Sequence, residues 1–249
     1  MNPPDVIAFD RARQAVLARI AAACAVAGRD PADVTLVAVS KTVSSESLRA
    51  AILAGLTTLG ENRVQEAADK VPVLPGVTWH LVGPLQSNKV RRAIELFDVI
   101  QSVDSVALGL RMDRLTGEVK PGTRYPILLQ VNVDDDPAKA GFAPADLAAA
   151  VDELAGCDAL DVRGLMTIGR LVAGPEEARA TFRHLRDVSE RLRADGHPIG
   201  PDLSMGMSDD YGVAVEEGAT MVRVGRALFG EREANAPAPR EQEANAAGG

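Results

Sequence analysis

Two hydrophobic rhythms alternate along the chain. Short runs of Val, Ile and Leu are each followed by a longer stretch whose apolar residues recur every three or four positions. The opening stretch, Val6 to Ala27, has the second rhythm and predicts an amphipathic helix ending near Gly28. The run 34–39, VTLVAV, predicts a buried strand, followed by a helix that begins at Ser44 or Ser45 and stops at Gly55. The same pairing recurs in TTLG with ENRVQEAADK, VTWHLVG with PLQSNKVRRAIELF, and DVIQSVD with SVALGLRMDRLTGE. YPILLQVNV leads through a loop, 134–143, to a helix over 144–155, and VRGLMTIG precedes PEEARATFRHLRDVSERLRADG. DLSMGMS with DDYGVAVEEG and TMVRVG with RALFG close the series.

Eight strand-then-helix units imply a parallel sheet covered by helices, which explains why several strands lack strict alternation. Eight units in about 200 residues match an α/β fold of the (β/α)8 TIM-barrel kind. A doubly wound open sheet is the alternative, since periodicity does not show closure. No Gly/Ser/Pro linker divides the units, so residues 1–230 are expected to form one domain. Residues 231–249, EREANAPAPREQEANAAGG, hold no large apolar residue and predict a disordered tail.

Composition narrows the function classes. The net charge of −8, without a dense Lys/Arg run, argues against nucleic acid and against an anionic membrane surface. It leaves room for a small phosphate, which needs only one local pocket. Cys24 and Cys157 are far apart with no CxxC spacing, so free thiols in a reducing compartment are expected. The three histidines lack metal-ligand spacing. Charged residues interrupt the apolar N-terminal stretch, which excludes a signal-peptide core or a membrane span there. A soluble cytoplasmic protein is expected.

In a barrel the chemistry sits where strands end. The strand ends here present Lys41; Glu61 and Asn62; His80 and Gly83; Met166 and Thr167; Ser204, Gly206, Met207 and Ser208; and Arg223 and Gly225. SMGMSDD and VRVGRALF place glycines and serines where backbone N–H groups gather before a helix, a setting that suits an anion. Tight turns alone would also explain those glycines, and Asp209 and Asp210 compete as caps for the helix that follows. A strand-end lysine is ordinarily solvated. Beside a phosphate loop, Lys41 instead suggests a Schiff base, with either pyridoxal 5'-phosphate (PLP) or a sugar phosphate in an aldolase. Asn62 reads equally as a site residue or a helix cap, and His80 as a hydrogen-bonded core histidine. Lys89, Arg91 and Arg92 read as a solvated helix face that could help draw in an anion.

The blocks VAVSKT, GENRVQE, WHLVGPLQSNK, VRGLMTIG, LSMGMSDD and MVRVGRALFG, in this order to Gly230, resemble the pyridoxal phosphate homeostasis proteins. That family is similar in fold to the barrel domain of alanine racemase, fold type III among PLP proteins. The resemblance implies that Lys41 forms the internal aldimine and that Arg223 faces the pyridine nitrogen. It implies phosphate-binding roles for Ser204, Gly206, Ser208 and Gly225, and a place near the cofactor for Asn62. Val43 and Ser44 stand where the family often has a basic residue and proline, Leu59 where it often has Phe, and Ser105 where many members have Arg.

The resemblance also bears on activity. An arginine at the ring nitrogen donates only, so the ring should stay unprotonated and draw electrons weakly. Fold type III racemases add a tyrosine from a β-domain, and no such domain is expected after the eighth unit here. A monomeric protein is therefore expected, one that buffers PLP or delivers it to apo PLP-dependent enzymes and so supports vitamin B6 and amino-acid balance. A weak fold type III racemase or lyase, or a Schiff-base aldolase, are the alternatives.

Overall fold

Eight parallel strands pair in sequence order, and β8 closes on β1 to complete a barrel. A computed structural model describes residues 3–230 apart from residue 171, so the predicted tail over 231–249 lies outside the described residues. The strands are β1 (Thr35–Val39), β2 (Thr58–Glu61), β3 (Thr78–Leu81), β4 (Val99–Val103), β5 (Tyr125–Gln130), β6 (Leu160–Met166), β7 (Asp202–Ser204) and β8 (Met221–Val224). The helices are α1 (Pro3–Ala27), α2 (Ser45–Leu53), α3 (Val64–Lys70), α4 (Val90–Leu96), α5 (Val106–Val119), α6 (Leu147–Ala155), α7 (Arg179–Ala194), α8 (Tyr211–Glu216) and α9 (Arg226–Phe229). The barrel, not the open sheet, is therefore the architecture.

Local chemistry sets most boundaries. Ser44 caps α2 by accepting the Ser47 amide at 3.2 Å, which settles the choice between Ser44 and Ser45. Gly55 then ends the unit with φ +89°, a left-handed turn that costs glycine little. Ser105, at a position where an arginine was the family expectation, caps α5 through the Leu108 amide.

The core lies between strands and helices, where Leu59, Leu81, Ile100, Phe97 and Phe182 are buried. The barrel interior is different. Strand neighbours side by side in register share a face, so Val37 beside Arg223 and Gly60 beside His80 mark the inward positions. Arg223, His80, Gln101 and Ser204 form a polar layer inside the barrel. Both cysteines are buried and free. No helix among the described residues is long and apolar enough to cross a membrane.

Candidate functional site

The polar layer is a chain of oriented hydrogen bonds. Arg223 is 5% exposed. Its Nη1 donates to Ser204 Oγ at 2.7 Å and its Nη2 to the Thr167 carbonyl at 2.7 Å. The Ser204 hydroxyl in turn donates to Gln101 Oε1 at 2.6 Å, and the Gln101 amide donates to His80 Nδ1 at 2.7 Å. Gln101 Nε2 can only donate, so His80 accepts at Nδ1 and is neutral. Burial holds its pKa down to about 4, against a smaller opposing pull from Asp98. Burial also lowers the Arg223 pKa, to about 10, partly offset by Asp210, so the guanidinium remains a cation at neutral pH. His80 is thus the hydrogen-bonded core histidine expected from sequence. The Ser204 hydroxyl lies in this internal chain, between Arg223 and Gln101, as part of the support for Arg223.

Above this layer, two loops meet. Gly206 has φ +87°, and a Cβ there would lie 2.5 Å from the Ala214 Cβ. Only glycine fits this turn. Its carbonyl accepts the Arg223 amide at 3.0 Å, which ties the loop after β7 to β8. Ser208 Oγ accepts from the Gly225 amide at 3.3 Å and the Ala227 amide at 3.5 Å. Asp210 makes no side-chain cap on α8, but it accepts the Met207 amide at 2.6 Å and so takes up one amide of this loop. Among the described residues, the amides of Gly206, Ser208 and Arg226 find no hydrogen-bond acceptor.

Lys41 joins this group through the backbone of β1. A Cβ on Gly225 would sit 3.2 Å from the Val39 carbonyl, so the ends of β1 and β8 are in contact. Inward Val37 and Val39 put Lys41, two residues further, on the same parity, and its side chain is half-buried. Glu61 lies on the other parity. It is fully buried beneath α3, where it pairs with Lys70 at 2.7 Å and not with the mouth. Burial raises its pKa, opposed by hydrogen bonds from Lys70 and Ser40. Asn62 is half-buried in the loop after β2 and packs its backbone against Gly83. It does not cap α3: Arg63 holds that position, without a side-chain bond.

The structure brings Lys41, Gly206, Ser208, Arg223 and Gly225 to one end of the barrel, and it adds Gln101, which the sequence did not single out. On a strand buried on both faces an inward glutamine produces no alternation to notice. Lys89, Arg91 and Arg92 lie on and beside α4, where Arg91 pairs with Glu118 and Arg92 with Glu95 at 2.9 Å, the exposed helix face that was expected. A cavity of about 540 Å³ opens at the opposite end, lined by Arg124, Asp161, Arg193, His197 and Gly200, and touches none of these residues.

Comparison with known proteins places the chain among relatives. The family profile described as Alanine racemase, N-terminal domain, matches residues 13–233. A Pyridoxal phosphate homeostasis protein of Pseudomonas aeruginosa is 43% identical over 228 residues, covering 90% of this chain and 95% of that one. A solved structure of an unknown protein from Bifidobacterium adolescentis superposes with a TM-score of 0.83 at 35% identity, over 92% of this chain and 97% of that one. PipY of Synechococcus elongatus, solved with PLP bound, gives 0.74 at 44% identity, over 85% of this chain and all of that one (100%).

Proposed function

This chain belongs to the pyridoxal phosphate homeostasis protein family, and from that membership we propose that it binds pyridoxal 5'-phosphate at Lys41 and serves intracellular PLP balance as a buffer or donor. The observation that carries the reading is the convergence, at one barrel end, of a half-buried lysine, a buried arginine and unbonded loop amides. When bound, PLP supplies an aldehyde that condenses reversibly with an amine, releasing water, and a phosphate dianion that needs several donors. The donor set fits such a group. The amides of Gly206, Ser208 and Arg226, with the Ser208 hydroxyl beside Gly225, would hold the phosphate. Lys41 would hold the aldehyde carbon, and Asn62 borders the same mouth from the loop after β2.

Arg223 would face the ring nitrogen. Its Nη1 and Nη2 each make one bond, to Ser204 and Thr167, which leaves N–H groups of the guanidinium available. A group that donates without giving up its proton keeps the ring nitrogen unprotonated, which suits storage better than amino-acid chemistry. We read the protein as a monomeric carrier that passes PLP to apo-enzymes inside the cell. The test is to incubate the loaded protein with L-alanine and L-serine in deuterium oxide, and separately with an apo PLP-dependent enzyme. The carrier reading expects activation of the apo-enzyme with negligible exchange of the α-hydrogen. Exchange at about 1 per second or faster would reject it in favour of a racemase or lyase.

A further inference from the structure

The sequence block GENRVQEAADK has charged side chains that the proposed binding of PLP leaves without a role, and three of them are Glu61, Glu66 and Lys70. All three converge on the turn that carries Lys41. Lys70 Nζ donates to the Ser40 carbonyl at 2.9 Å and to Glu61 Oε1 at 2.7 Å. The Ser40 hydroxyl donates to that same Glu61 oxygen at 2.7 Å. On the other side of Lys41, the Thr42 amide donates to Glu66 Oε2 at 3.1 Å. Glu66 and Lys70 stand one turn apart on α3 and therefore share a face. They are 3.9 Å from each other.

Thr42 shows why such support is needed. It has φ +66°, in the left-handed region that a β-branched residue rarely enters. A backbone in that region persists only where its surroundings hold it there. The Val43 amide closes the turn onto the Ser40 carbonyl at 3.0 Å, the same oxygen that Lys70 grips.

We propose that α3 acts as a clamp on this turn, with Glu66 and Lys70 as positioning residues that aim Lys41 at the barrel mouth. The two peptide groups flanking Lys41 are each fixed by one side chain of the same helix, so the direction of its Cα–Cβ bond is fixed with them. The buried Glu61 holds Lys70 in place through its 2.7 Å ion pair. The proposal rests on Lys41 as the PLP-binding residue and adds how its amine is delivered to the mouth.

The test uses three substitutions at Glu66, a partly exposed site that tolerates change better than buried Lys70. Glu66→Gln keeps an oxygen that can accept from Thr42. Glu66→Asp keeps the charge and loses the reach. Glu66→Ala loses both. Uptake of PLP is followed by absorbance, and exchange of the Thr42 amide is measured on the ligand-free protein. The clamp predicts that Gln binds PLP within about twofold of the parent chain. Ala and Asp should bind about 10-fold more weakly and exchange Thr42 about 10-fold faster, the scale of one lost hydrogen bond to a charged acceptor. Unfolding midpoints should stay close to one another. If Asp matched the parent, charge and not the bond to Thr42 would be what matters, and the clamp would be overturned. Equal uptake in all four proteins would overturn it as well. Should Ala fail to fold, Gln against Asp carries the comparison. Failure of the parent chain itself to take up PLP at Lys41 would remove the binding proposal, and the clamp with it.

Discussion

Ser204→Ala removes one oxygen from the middle of the barrel interior. That oxygen accepts from Arg223 at 2.7 Å and donates to Gln101 at 2.6 Å. Ser204 and Gln101 are fully buried and Arg223 nearly so, so water does not replace the lost partner. The space left by one hydroxyl is too small to admit a water molecule. A buried bond to a charged donor contributes about 1.5–3 kcal/mol and a neutral one about 1 kcal/mol. The variant should therefore be about 3 kcal/mol less stable, or roughly 8 °C lower in Tm for a chain of this size. Urea unfolding of the ligand-free protein, followed by fluorescence and circular dichroism, measures this as a lower midpoint with unchanged slope. PLP affinity should fall about 10-fold in parallel, because Arg223 loses one of its two anchors. A stability loss below about 1 kcal/mol would refute the reading that the Ser204 hydroxyl supports Arg223. So would a full stability loss with PLP affinity unchanged.

Three further outcomes follow from the same geometry. His80 titrates near 4 in the folded protein, against about 6.5 in the unfolded chain, so its protonation opposes folding. Its contribution is whole above pH 6.5 and is lost as the pH falls toward 4. The parent chain should lose about 1.5 kcal/mol more than His80→Asn between pH 6.5 and pH 5, and parallel stability curves would contradict this. Gly225→Asp should weaken PLP binding about a hundred-fold by placing a carboxylate among the loop amides, while Gly225→Ala, at an ordinary negative φ, should cost far less; equal losses measured by absorbance titration would refute the electrostatic cause. Deleting residues 231–249 should leave PLP affinity unchanged, because that sequence holds no large apolar residue, and a measured loss would show that it contributes to the site.

The eight units were legible because each apolar run is long enough to bury and each is followed by a helical pattern with its own stop. Glycine made the two loops legible as well, since Gly206 and Gly225 stand where the chain turns from strand to helix. What periodicity did not reveal was parity. Glu61 and Asn62 are adjacent at one strand end, yet Glu61 points outward under α3 while the loop at Asn62 borders the mouth. Which of two neighbours faces inward depends on strand register around a closed barrel, and register is set by long-range pairing such as Gly60 beside His80. Gln101 escaped for the same reason. The role of Asn62 as a cap failed because α3 starts two residues later, at Val64, behind an arginine with no capping bond.

Everything proposed for this site depends on Lys41 being the residue that holds PLP. The direct measurement is to load the full chain with PLP, reduce it with borohydride, digest it and locate the modified lysine by mass spectrometry. A single dominant adduct is expected on the peptide carrying Lys41, lost in Lys41→Ala. A dominant adduct on Lys89 or Lys139, or undiminished labelling of Lys41→Ala, would contradict it.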